Sequence, residues 1–132
     1  MTRDEGADTR LDTLGRFLMK HLRDAAFRGH EQVATGQARA PGLQGLVTDL
    51  RAMTPEQQEV VRRAVRHAVD AGLHDFLFAL QESLDLEGGE VALTVGGTNA
   101  AELEAEGLHG ELFTQEGWRA RFSELGEPEG DA

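Results

Sequence analysis

Apolar residues recur at Leu11, Leu14, Leu18, Leu22 and Ala25, three and four positions apart. That spacing lines one face of a helix and predicts an amphipathic helix over residues 9–28. Phe17 and Ala26 widen the stripe, and Gly29 is the expected stop. Residues 29–41 hold two glycines and close on Pro41, which predicts a connector with room for a helical turn at 31–34. Leu43, Leu46, Val47 and Leu50 then predict a short helix at 42–52.

Thr54-Pro55-Glu56-Gln57 is the strongest local signal. Thr54 can cap the free N–H groups of a helix start, Pro55 suits the first helical position, and Gln57 completes a capping box. The helix that follows is expected to bury Val61, Ala64, Val65, Ala68 and Val69. Beyond Gly72 the apolar series continues as Leu73, Phe76, Leu77, Leu80 and Leu84. The pattern fits one kinked helix or two in close succession.

Gly88-Gly89 ends the helical region. Glu90–Val95 alternates and reads as a strand with Val91, Leu93 and Val95 on its apolar face. Gly96–Asn99 is the expected turn, and 100–105 suits a partner strand or a helix. Residues 107–113 are turn-rich. Thr114 is placed to cap a last helix carrying Trp118, Phe122 and Leu125. The expected organisation is a flexible N-terminus at 1–8, one α+β domain at 9–125 and a flexible acidic tail at 126–132. Within the domain, three to four helices pack on a short antiparallel β-hairpin, closed by a C-terminal helical segment.

Charge changes this picture. The net charge is −11. Residues 1–81 carry 11 acidic and 11 basic side chains, whereas 82–132 carry 13 acids against only Arg119 and Arg121. The whole excess lies in the C-terminal part. Nucleic acid and anionic membranes, which require clustered Lys and Arg, are not the expected partners. A basic protein is the electrostatic complement, set against the plain alternative that the acids serve solubility. The 12 Arg to 1 Lys fit a GC-rich genome better than a phosphate site. No cysteine is present, which excludes disulfides and thiol chemistry. The first eight residues lack a signal-peptide core, and no stretch nears the ~18 apolar residues of a membrane helix. The expected compartment is cytoplasmic, and no cofactor is implied.

Three constellations are candidates for chemistry. His67, Asp70 and His74, with Asp75 beside them, fall within roughly 60° on a helix and form a weak metal candidate. Their expected place is the solvated face. Phe78 projects near His67 and His74, away from the core stripe, and calls for a cover or a partner. The second group is His109, Glu111, Trp118, Arg119 and Arg121, within 13 residues. Here His109 and Glu111 could do acid–base work, while Trp118 and Phe122 read as core anchors. The glycines at 88–89 and 96–97 match no phosphate loop and read as turns. Ser83 and Ser123 lack any nucleophile-elbow context.

Gly72-Leu73-His74-Asp75-Phe76-Leu77-Phe78-Ala79-Leu80-Gln81-Glu82, then Gly107–Phe113, then Glu116–Ser123, resembles a family of small uncharacterised bacterial proteins. The resemblance covers about the last 60 residues of the chain and carries over no functional residue. In size and acidity the chain is also similar to immunity proteins that neutralise secreted bacterial toxins. The expected function is a non-enzymatic interaction module that binds a basic partner. Its contact residues would be Phe78, Glu102, Glu104, Glu106, His109, Glu111, Trp118 and Arg121. The alternatives are a small ligand-binding domain or enzyme built on His109, Glu111, Trp118 and Arg121, and an accessory subunit of an oligomer.

Overall fold

A computed structural model describes residues 5–85, 89–102, 108–114 and 117–125. Residues 1–4 of the expected flexible N-terminus and the whole tail 126–132 lie outside the described residues. The first stripe folds as three helical stretches without a break. They are α1 (Glu5–Leu18), a π-helical turn (Met19–Asp24) and α2 (Ala25–Ala34). Gly29 does not stop the helix, because a site facing open space costs only helix propensity. The stop comes at Gly36, whose φ of +81° favours glycine. There the N–H of Gly36 donates to the Val33 carbonyl and that of Gln37 to the Gln32 carbonyl, closing the last turn.

The π turn also moves the buried stripe. Leu22 and Ala25 are exposed, while Met19, Arg23, Asp24 and Phe27 are buried. Bonding from i to i+5 takes up an extra residue, so the phase set by Leu11, Leu14 and Leu18 does not carry through. Phe17, expected to widen the stripe, stands 60% exposed.

After a 3₁₀ turn at Pro41–Leu43 comes α3 (Gln44–Arg51). Val47 and Leu50 on α3 pack with Val33 and Ala38 in a small core. The capping box forms as expected. The N–H of Gln57 donates to Thr54 Oγ1 at 3.1 Å, and the N–H of Thr54 donates to Gln57 Oε1 at 2.9 Å. Beyond it, α4 (Pro55–Asp85) runs through Gly72 as one helix. Leu73, Leu77 and Leu80 join Leu11, Met19, Leu108, Leu112 and Trp118 in the main core. Ala64, Ala68 and Phe76, expected inside, are exposed. The main core gathers around the second half of α4 and takes in Val69 at its edge, while Val61 packs on the smaller cluster. Phe76 lies about 60° to one side of the line of Leu73, Leu77 and Leu80.

The sheet has two strands, β1 (Thr94–Val95) and β2 (Thr98–Asn99), antiparallel, with Thr94 opposite Asn99 and Val95 opposite Thr98. It is shorter than expected. The turn is Gly96-Gly97 alone, with φ of +58° and +84°. Positive φ at both positions is what a two-residue hairpin turn of this hand requires. Ala100–Glu102 turns into a 3₁₀ segment rather than a partner strand, and 103–105 lie outside the described residues. Of the expected apolar face, Val95 is buried, Leu93 half-buried and Val91 exposed.

A 3₁₀ turn at Leu108–Glu111 and a short α5 (Trp118–Phe122) complete the described chain. Gly117 rather than Thr114 stands at the start of α5, and Leu125 lies past its end. The fold is mostly helical with a small antiparallel sheet. No helix among the described residues is long and apolar enough to cross a membrane.

Candidate functional site

Gln81 brings the C-terminal turn onto α4. Its side chain is buried, and its Oε1 accepts the backbone N–H of Leu108 at 3.0 Å. Its Nε2 donates to Asp85 one helical turn on, at 2.9 Å. Leu108 is thereby seated in the main core, and His109 falls beside the outer face of α4. The His109 ring packs edge-on against Phe78, with centroids 4.9 Å apart, and against His74 at 5.4 Å. Nδ1 of His109 is buried and has no hydrogen-bond partner among the described residues.

Phe78 remains 44% exposed at the centre of this group. Asp75 and Glu82, three positions before and four after Phe78, share its face of α4 and are exposed. Glu111 follows His109 by two residues. The arrangement is an aromatic centre flanked on α4 by the carboxylates of Asp75 and Glu82. His74 is oriented in turn by Asp75, with Nδ1 3.4 Å from Oδ1.

The other expected contact residues do not join it. Trp118 is fully buried against α1, beside Gly15. Arg121 donates to Asp12 of α1 at 2.7 Å and lies over the Phe122 ring. Arg119 lies over Phe113. His109, Trp118 and Arg121 thus face three different neighbours, which leaves the joint ligand site without geometric support. Glu102 is exposed in the 3₁₀ segment after the hairpin. Glu104 and Glu106 lie outside the described residues.

Asp70 departs from its expected place on the solvated face. Arg23, fully buried, donates to it from Nε at 2.6 Å and from Nη2 at 3.2 Å. The carboxylate is committed to that pair, so His67, Asp70 and His74 do not assemble. Among the described residues no group of three or more His, Asp or Glu could hold a metal ion.

Arg23 belongs to a buried polar network that sequence reasoning missed. Its Nη1 donates to Ser123 Oγ at 2.8 Å, and Ser123 Oγ donates to Asp24 Oδ1 at 2.6 Å. The other oxygen of Asp24 accepts the backbone N–H of Glu124 at 2.8 Å. The π turn thereby ties down the segment after α5. Arg28 pairs with Glu124 in the same region. Arg23 and Arg66 both lie over the Phe27 ring, 4.7 and 4.5 Å from its centroid. Burial lowers the pKa of Arg66 below its ordinary value, and the charges of Arg62 and Arg23 act in the same direction.

A second feature without a sequence signal is a concavity of about 480 Å³ between α1, α4 and the hairpin. Phe17, Phe76 and Val91 stand at its rim, and Leu77, Leu80 and Val95 form its floor. Its Val91 wall is fixed by Ser83, whose Oγ donates to the Val91 carbonyl at 3.0 Å and accepts the Val91 N–H at 2.9 Å.

No protein-family model, curated protein or solved structure matches the chain.

Proposed function

We propose that this protein is a non-enzymatic interaction domain that engages a basic protein partner through the Phe78 surface. The observation that carries the reading is the packing of Phe78 against His109 at the surface, beside the exposed Asp75 and Glu82 on the same face of α4. Protein interfaces concentrate their energy in such aromatic centres, with polar groups at the rim. A cationic side chain of the partner would find both a ring face and carboxylates there. The charge distribution supports the sign of the partner. The two basic side chains of residues 82–132 are turned onto the fold, Arg121 to Asp12 and Arg119 to Phe113. Glu82, Glu90 and Glu102 stand exposed and add negative potential to that half. An immunity-type inhibitor of a basic toxin is one concrete version.

The test is affinity capture from a lysate of the native host at low and high salt, with wild type and Phe78→Ala side by side. A basic protein held by wild type at low salt, released at high salt and missed by Phe78→Ala supports the reading. Equal retention by both proteins, or retention indifferent to salt, contradicts it.

A further inference from the structure

We propose that the concavity between α1, α4 and the hairpin is a binding pocket for a neutral, largely apolar small molecule. Phe76 and Phe78 are two residues apart and point about 200° from one another, so this pocket is separate from the Phe78 surface. The two readings stand or fall independently.

Shape is the first ground. The volume of about 480 Å³ falls within the range of small-molecule sites, about 300–1,000 Å³. Its floor is main-core side chains, with Leu77 fully buried, and its hairpin wall is pinned by the paired Ser83–Val91 hydrogen bonds. The pocket is therefore formed before any ligand arrives.

The second ground is unmet apolar demand at the rim. Phe17 is 60% exposed, Phe76 54% and Val91 52%, and all three line the same hollow. Phe76 continues the apolar series of α4, yet the fold leaves it half open. A ligand seated between these residues removes their apolar surface from water, as the core does for Leu73 and Leu77.

The class of ligand follows from the lining. Among the described residues none that lines it is charged, and Thr13 and Thr94 supply the polar side chains. An ion placed there would lose its hydration with no counter-charge among the described lining residues, the nearest cation being Arg10 behind Gly96 at the hairpin turn. A neutral aliphatic or aromatic compound, carrying at most a hydroxyl or carbonyl, suits the site.

The test uses the neutral fluorophore N-phenyl-1-naphthylamine, titrated against the full chain, with 1-decanol, decanoate and decylamine as competitors. The expected result is saturable fluorescence that decanol displaces, while the two charged analogues require at least about tenfold higher concentration. Val91→Asp and Thr94→Trp, both at exposed positions, are each expected to weaken the probe by at least about tenfold. Circular dichroism of both variants confirms that they stay folded. Absence of saturable binding, equal displacement by all three competitors, or probe affinity unchanged in both variants overturns the proposal. A concentration-dependent dimer that Phe76→Asp dissociates overturns it too, since the hollow would then belong to a second copy.

Discussion

Trp118 occupies the space that a side chain at residue 15 would need. A Cβ built on Gly15 falls 2.5 Å from the indole Cγ. The glycine in the last turn of α1 is thus what lets α5 close on the core, and its helix-weakening effect is tolerated for that reason. Gly15→Ala is expected to lower stability by about 1–3 kcal/mol through overpacking. Gly72 is the matched contrast. It faces open space in the middle of α4, so Gly72→Ala is expected to raise stability by about 0.5–1 kcal/mol. Urea unfolding measures both, and the same sign for the two would contradict the packing described.

The Arg23–Asp70 pair gives a second test. Asp70→Ala leaves a fully buried guanidinium without its carboxylate, and a loss of about 3–5 kcal/mol is expected. The double variant Arg23→Leu with Asp70→Leu removes both charges and should cost less than Asp70→Ala alone. A double variant that is less stable than the single one would show that the ion pair is not the main term. Thermal unfolding read at several salt concentrations is the measurement.

Gln81 links stability to the surface. Replacing it by Ala leaves the buried N–H of Leu108 without its acceptor, at about 1–3 kcal/mol. The His109 turn should loosen as well, seen as faster hydrogen exchange at 108–112 while α3 is unchanged. Unchanged exchange at 108–112 would mean that Gln81 does not hold the turn.

Glu59 carries the pH test. Arg62 donates to both oxygens of its carboxylate, at 2.9 and 3.0 Å. That hydrogen bond is the leading cause of a pKa below the ordinary carboxylate value, desolvation opposes it, and the charges of Arg62, Arg63 and Arg66 assist. A carboxyl pKa depressed by folding contributes stability above its unfolded value, and that contribution is lost as pH falls through the folded one. Arg62→Ala is expected to raise the Glu59 pKa, followed by NMR of the side-chain carboxyl. No change on substitution would rule out the pairing.

What the sequence made legible was local. The capping box at Thr54–Gln57 needs only neighbours three residues apart, and it formed as read. Gly29 misled because a glycine signals a stop only where the backbone leaves helical φ, which happens at Gly36. The π turn shifted the buried stripe from Leu22 and Ala25 to Arg23, Asp24 and Phe27, and apolar periodicity carries no mark of such a slip. A buried Arg23 is equally invisible, since its partners Asp70 and Ser123 lie 47 and 100 residues away. Phe78 could be singled out because it breaks the stripe of α4. The hollow behind Phe76 could not, because its walls come from three separate segments.

The most direct measurement is capture of a basic partner by wild type, Phe78→Ala and Phe76→Ala in parallel, at low and high salt. Both phenylalanines are about half exposed on the same helix, so general loss of apolar surface affects the two alike. If the Phe78 surface is the docking site, Phe78→Ala loses the partner, Phe76→Ala keeps it, and high salt releases it from wild type. Retention by Phe78→Ala, or equal loss in both variants, would contradict an interaction centred on Phe78 and His109.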